Sequence, residues 1–230
     1  MHPVRALLIV LTILASPAAQ AEATGADPSI NQPYLQPDYK TWVKRFESPG
    51  REVFDQRQAI VQVSGAGPGM RVADLGAGTG LFTMLFARAV GPSGRVHAVD
   101  ISETFVDKIL ARARDEGLTN VKAVVSTHTE TRLAPGSVHL VFLCDTYHHF
   151  EQPAAMLDSI HRALKPGGTL VVVDFEREES KSSAWVLGHV RAGKHTVIRE
   201  IEAAGFKLLN DEPLLKENFF LRFEKQTPRG

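Results

Sequence analysis

Residues 72–80 read Val-Ala-Asp-Leu-Gly-Ala-Gly-Thr-Gly, and no other stretch constrains the chain as tightly. The alternation around Val72, Asp74 and Leu75 predicts a buried strand, which glycines at every second position then end. Gly76, Gly78 and Gly80 let the backbone turn sharply and let a ligand approach with no Cβ in the way. From Leu81 an apolar run through Ala87 starts a helix, whose free N–H groups and positive dipole end face the same spot. Such a strand, loop and helix cradle a polar or anionic ligand over the strand end.

The spacing is informative in itself. A nicotinamide dinucleotide loop reads Gly-x-Gly-x-x-Gly. Here Leu81 stands where its last glycine belongs and the glycine arrives one residue early, which disfavours an oxidoreductase. Beyond Gly69, strand patterns at 71–75, 95–99, 121–125, 139–144 and 169–174 alternate with helical ones at 81–90, 103–116 and 153–164. That alternation predicts a parallel sheet with helices on both faces. Two later strands, 206–210 and 219–223, lie too close for a crossover helix and must pair antiparallel. Before the sheet, Trp42 and Phe46 and then Val53, Ile60 and Val61 fall at helical spacing, interrupted by Ser48-Pro49-Gly50. Two short helices are expected there, with Trp42 and Phe46 as core contacts rather than ligand contacts.

Asp100 closes the second strand about 20 residues after the glycine loop, where an acid accepts from both hydroxyls of a ribose. No arginine adjoins it to favour a phosphate. Capping the helix that begins near Glu103 is the other reading, a role Ser102 fills equally well. The motifs then continue in order as His97-Ala98-Val99-Asp100-Ile101-Ser102, Leu140-Val141-Phe142-Leu143-Cys144-Asp145 and Leu164-Lys165-Pro166-Gly167-Gly168-Thr169-Leu170. Together they resemble the class I S-adenosylmethionine-dependent methyltransferases over roughly residues 53–175, and more loosely to the C-terminus. The resemblance implies an α/β, Rossmann-like doubly wound sheet of seven strands, mostly parallel with an antiparallel C-terminal hairpin.

It also implies S-adenosyl-L-methionine as cofactor. Gly76, Gly78 and Gly80 would lie under the methionine portion, with Asp74 near its ammonium. Asp100 would take the ribose, Ile101 would pack on the adenine, and Cys144 and Asp145 at the fourth strand's end would line the methionine side. After the third strand the family usually places Gly-Asp, whose acid reads the adenine amino group. This chain has Ser126-Thr127-His128-Thr129-Glu130 instead, with Thr127 in the acid's place and Glu130 or His128 as the available substitutes.

Asp145-Thr146-Tyr147-His148-His149-Phe150 follows the fourth strand, at the edge where parallel sheets place their ligands. Methyl transfer from a sulfonium is an in-line displacement that needs no enzyme nucleophile, only positioning and, for a protonated acceptor, a base. His148 and His149 are the candidate bases, and Tyr147 a candidate for orienting the acceptor. A capping histidine beside a packing one is the structural alternative. The segment resembles small-molecule methyltransferases and lacks the Asn/Asp-Pro-Pro-Tyr/Phe signature of enzymes that methylate amino groups of bases. Asp145 and Asp174 end neighbouring strands, but Phe175 replaces the asparagine expected beside a magnesium pair, so no metal is assigned. Trp185, His189 and Arg191, in the segment 176–204, either touch the acceptor or belong to an ordinary amphipathic helix.

Lys+Arg and Asp+Glu both total 26, so no net field draws nucleic acid or an anionic membrane. The expected partner is a small-molecule acceptor, with oligomeric state open. Cys144 is the lone cysteine, which excludes an intramolecular disulfide and a cysteine-based metal cluster. At the N-terminus, His2 and Arg5 precede the apolar run 6–15, Ser16-Pro17 breaks it, and Ala19-Gln20-Ala21 supplies a small-x-small pattern. The run is about half the length a spanning helix needs. The expectation is a signal peptide at 1–21, export to the periplasm or beyond without stable membrane insertion after cleavage, and a loose arm at 22–37. The remaining chain, 38–230, reads as one domain: N-terminal helices 38–64, cofactor core 70–175, helical cap 176–204 and hairpin 205–225. An exported protein that binds the cofactor without catalysis is the other function class considered.

Overall fold

The computed structural model describes residues 25–226; the expected signal segment and its cleavage point lie outside the described residues. Strands β1 (Arg71–Leu75), β2 (Arg95–Asp100), β3 (Val121–Val125), β4 (Val138–Cys144), β5 (Leu164–Phe175), β6 (Phe206–Asp211) and β7 (Asn218–Lys225) form one sheet of seven in the order β3-β2-β1-β4-β5-β7-β6. The first five run parallel, and β7 pairs antiparallel with both β5 and β6. The last strand therefore inserts between its hairpin partner and the parallel block. Chain order reverses between β1 and β4, so a crevice opens above their C-terminal ends, where open α/β sheets bind ligands.

The inner strands are buried on both faces, which is why they read as near-continuous apolar runs, while the edge strands β3 and β6 are partly exposed. Along β4, Leu140 and Phe142 join one core with Val72, Phe86, Val171 and Phe220. Val141 and Leu143 join the opposite core with Leu157, Ile160, Leu170 and Phe223. The period of two thus sorts each strand's residues between two helical layers. Phe142 is held from above by Phe82 and Phe86, each with ring centroids 4.9 Å away.

Ahead of the sheet stand α1 (Gln32–Leu35), α2 (Tyr39–Phe46), α3 (Glu52–Asp55) and α4 (Arg57–Ser64). The helical pattern expected over 38–64 is thus three pieces rather than two, because the backbone steps out of helix at Gln56 before α4 begins. Between the strands run α5 (Leu81–Val90), α6 (Glu103–Asp115) and α7 (Pro153–Ala163), and α8 (Ala184–His189) and α9 (Lys194–Ala203) follow β5. The described part of the expected arm is not loose. Its Ala26 amide donates to the Phe150 carbonyl at 2.8 Å, and Asn31 is buried against His149. Prolines and small polar residues there terminate short turns of helix rather than keep the segment free. Among the described residues no helix is long and apolar enough to cross a membrane.

Candidate active site

The glycine loop sits at the reversal point. Gly76 and Ala77 donate to the Val99 carbonyl at 2.8 and 3.1 Å, which bends the chain from β1 over the end of β2. The Gly78 amide donates to Asp100 Oδ2 at 2.8 Å, and Ser102 N donates to Oδ1 at 2.9 Å. Asp100 is thus a buried carboxylate fixed from two sides, while Ser102 Oγ caps α6. The helix-capping role considered for Asp100 is filled by Ser102. Burial pushes the Asp100 carboxyl up to about 6, with the amides of Ser102, Gly78 and Ile101 holding it down. Asp74, also buried, accepts from Thr83 Oγ1 at 2.5 Å, and burial pushes it up to about 7.

A cleft of about 450 Å³ lies over these groups. One end is lined by Asp100, Ile101, Phe105, Ser126, Thr127 and His128, and the centre by Asp74, Gly76, Gly78, Thr79, Cys144 and Asp145. Gly76 and Gly78 both have positive φ, +73° and +52°. A Cβ on Gly78 would meet open cleft and the Phe46 ring at 3.5 Å; one on Gly76 would collide with Thr146. Phe46 therefore walls the cleft as well as packing on Trp42, which the helical spacing alone did not distinguish.

Three expected site residues stand elsewhere. Gly80 does not line the cleft: with φ +83°, its missing Cβ makes room for Ile109, whose Cγ1 would lie 2.9 Å away, so it serves helix packing. Glu130 is turned outward, its carboxylate accepting from Arg162 at 2.9 and 3.1 Å and from Ser159 at 3.2 Å. Of the segment after β3, Ser126, Thr127 and His128 line the cleft and Glu130 does not. Tyr147 is buried, and its hydroxyl donates to Glu200 at 2.7 Å inside the core beneath α9. An aromatic beside two histidines looked available to an acceptor; its apolar ring was instead needed below the sheet edge.

At the other end of the cleft stand Tyr34, Phe175, Trp185, His148, His149 and His189. His148 Nδ1 lies 2.7 Å from Asp174 Oδ1, both groups buried. Burial opposes charge on this imidazole, but the Asp174 carboxylate outweighs it and raises its pKa; burial likewise opposes Asp174, and His148 holds it low. His149 Nδ1 lies 2.9 Å from Asn31 Oδ1, and burial with a neighbouring His148 pushes its pKa down to about 3. That takes His149 far from the near-neutral titration expected of a base. The Asp145 and Asp174 carboxylates are not a free pair: Asp145, in left-handed backbone at φ +48°, accepts from Arg51 at 2.5 Å and Asn218 at 2.6 Å. Burial still raises the Asp145 pKa, against the opposing Arg51. Sequence reasoning missed Arg51, Asn218, Asn31 and Tyr34, since their contacts span 94, 73 and 118 residues for the hydrogen-bonded three.

An acid fixed under a glycine loop at the reversal of a parallel sheet, with an antiparallel strand inserted beyond β5, defines a class I nucleoside-cofactor fold. Residues 72–168 match the family model of the methyltransferase domain. A C-methyltransferase of ubiquinone and menaquinone biosynthesis from Shewanella sp. (strain W3-18-1) is 33% identical over 124 residues, 54% of this chain and 49% of that protein. The chain thus spans about half the length of the curated relatives it matches. Among solved structures, a SAM-dependent methyltransferase from Aquifex aeolicus aligns with TM-score 0.72 and 25% identity, over 82% of this chain and 99% of that one. The [4+2]-cyclase SpnF, at 18% identity, shares the fold with TM-score 0.71 over 88% of this chain and 97% of its own. Over residues 72–168 the chain is thus similar to the methyltransferase domain, and it shares its fold with a SAM-dependent methyltransferase, whose cofactor is S-adenosyl-L-methionine.

The residues present fit that cofactor. The cradle where a Gly78 Cβ would protrude leaves room for its methionine portion, and the Asp100 carboxylate keeps lone pairs beyond those its amide donors use, enough to accept from ribose hydroxyls. Ile101 and Phe105 supply apolar surface for the base.

Proposed function

We propose that this chain is an S-adenosyl-L-methionine-dependent methyltransferase that acts on a small-molecule acceptor outside the cytosol. The observation that carries the reading is the buried Asp100 carboxylate, bound to the Gly78 amide at 2.8 Å in the floor of a two-ended cleft. When bound, the cofactor supplies an electrophilic methyl on a sulfonium. The chain supplies the rest: Asp100 fixes the nucleoside, the open face of Gly78 admits the methionine portion, and Tyr34, Phe175 and Trp185 exclude water from the acceptor end. Alignment and desolvation of the two reactants then lower the barrier without an enzyme nucleophile.

The acceptor end favours a flat, apolar molecule with one polar handle, since aromatic rings wall it and imidazoles supply its polar groups. The curated relatives' names, C-methyltransferases of quinone biosynthesis, fit an acceptor of that shape. Export is supported by the basic start, the apolar run and Ala19-Gln20-Ala21. Calorimetric titration with S-adenosylhomocysteine, followed by a labelled-methyl assay on a small-molecule extract, tests the activity. Binding with transfer is the expected result; binding without any transfer would reduce the chain to a cofactor-binding protein. For the address, the intact mass of protein from its native cell should correspond to a chain beginning at Glu22, and a mass retaining Met1–Ala21 would refute cleavage.

A further inference from the structure

Three imidazoles from two distant segments converge at the acceptor end. A donor nitrogen of each of His148, His149 and His189 lies within 4.8 Å of the other two. The ring centroids of His148 and His149 are 4.2 Å apart, and His189 sits edge-on to both at 5.2 and 5.3 Å. We propose that these three side chains form a binding site for a divalent first-row transition ion, zinc being the best match, with its open coordination position facing the acceptor.

The surrounding hydrogen bonds select the ligating atoms. Asp174 Oδ1 accepts at 2.7 Å from His148 Nδ1, which leaves Nε2 of that ring with the lone pair. Asn31 does the same for His149, and its orientation is fixed independently. Its Nδ2 donates to the His149 carbonyl at 3.1 Å and to Glu151 Oε1 at 2.8 Å, so Oδ1 is the atom that faces His149 Nδ1 at 2.9 Å. Both rings are therefore held in the tautomer that presents Nε2 as a ligand, one by a carboxylate and one by an amide oxygen. Oriented, oxygen-bonded imidazoles of this kind are how proteins prepare metal ligands. His189, at the C-terminal end of α8, has its ring stacked on Trp185 with centroids 4.6 Å apart.

Three neutral nitrogen donors suit zinc and its neighbours rather than magnesium or calcium, which take oxygen. Zn–N bonds of ~2.0–2.1 Å in a tetrahedral site place donor atoms roughly 3.3 Å apart. Closing the site therefore asks for an inward movement of about an ångström, which His189 can supply as the least buried of the three on a helix of six residues. Asp174, 2.7 Å behind His148, provides negative charge close to the ion without ligating it. Three protein ligands leave a fourth position open, and the cleft is on that side. Under the methyl-transfer reading, on which this last part rests, the ion holds an acceptor by its oxygen. An enol or phenol would give its proton to solvent as it enters, and the resulting oxygen-bound anion would attack the methyl carbon, forming the new bond to that carbon as the methyl–sulfur bond breaks and the neutral thioether leaves.

The test uses the full chain, stripped with a chelator and titrated with zinc by calorimetry and with cobalt(II) by visible absorption, without cofactor. The expected result is one ion per chain with Kd on the order of 1 μM or tighter. His189→Gln and His149→Gln should each weaken binding by roughly 100-fold, Asp174→Asn by ~10–100-fold, and His161→Gln, outside the cluster, not at all. His189 is partly exposed, so its variant keeps the fold, to be checked by an unchanged melting curve. Absence of stoichiometric binding, or binding that His189→Gln leaves intact, would overturn the proposal. Because these readouts need no methyl transfer, a protein that binds zinc but transfers nothing refutes the function and keeps the site; transfer that survives chelation removes the ion from the reaction.

Discussion

Asp100 shows how one buried carboxylate is set up for a ligand. It accepts from two backbone amides, yet burial raises it to about 6, so the charged form is only moderately favoured before a ligand arrives. Ribose hydroxyls are donors and favour that charged form. Calorimetry should therefore find S-adenosylhomocysteine affinity steady above pH 7 and falling as pH drops through about 6. Asp100→Ala should cost ~2–3 kcal/mol of binding, the scale of hydrogen bonds to a charged group. Asp74 gives the complementary stability test. Its folded pKa of about 7 exceeds the unfolded value of 3.8, so its stabilising contribution is complete below the unfolded value and is lost as pH rises through about 7. Asn keeps an acceptor for the Thr83 hydroxyl and carries no charge. Asp74→Asn should stabilise the fold over the parent at pH 8 by roughly 2–4 kcal/mol, read as a higher Tm, and give little change near pH 3.5, below the unfolded value. An equal shift at both pH values would show that charge burial is not the cause.

At the scale of elements, the three glycines of one loop have separated roles. Gly78 faces the cleft, and Gly80 faces Ile109 on α6, although their spacing in sequence is uniform. Both have positive φ, so an alanine at either costs about 1 kcal/mol in backbone strain. Gly80→Ala adds a contact at 2.9 Å and should lower Tm more than Gly78→Ala. Gly78→Ala, in contrast, should weaken S-adenosylhomocysteine more than Gly80→Ala does. If the two variants rank alike in both assays, the division of labour is wrong. This loop also marks how far sequence reading reached. Strand periodicity and the glycine spacing are local signals, and they gave β1 and α5 to the residue and the parallel block with its antiparallel hairpin, whereas Lys165-Pro166-Gly167-Gly168, whose composition suits a turn, lies within β5. Whether Gly80, Glu130 or Tyr147 faced a ligand or a neighbour was decided by α6, Arg162 and Glu200, none of which is near in sequence.

Across the whole molecule, the segment before β1 works as a clamp that joins loops from separate crossovers. Tyr39 donates to the Thr79 carbonyl at 2.9 Å, Glu47 accepts from Arg112 at 2.6 Å and from Thr79 at 2.7 Å, and Glu52 accepts from the Lys216 and Glu217 amides at 2.7 Å. Arg51 adds the link to Asp145 at 2.5 Å, tying the clamp to the end of β4 where the cofactor and acceptor halves of the cleft meet. Helical spacing revealed that this segment is helical, but long-range charge pairing left no trace in it. Asp145 is only 11% exposed, so removing its cation leaves a nearly buried charge with Asn218 as its remaining partner. Arg51 is 25% exposed, and solvent screening reduces the loss below that of a fully buried pair, to about 1–3 kcal/mol. Arg51→Ala should accordingly lower Tm and weaken S-adenosylhomocysteine together. Asp145→Asn tolerates the left-handed backbone and keeps the side-chain shape, so it isolates the charge. In a double-mutant cycle the two substitutions should couple by roughly 1 kcal/mol or more, since removing the arginine matters only while the carboxylate is present. Additive effects would mean that Arg51 holds the clamp through its bond to the Phe46 carbonyl at 2.8 Å rather than through Asp145.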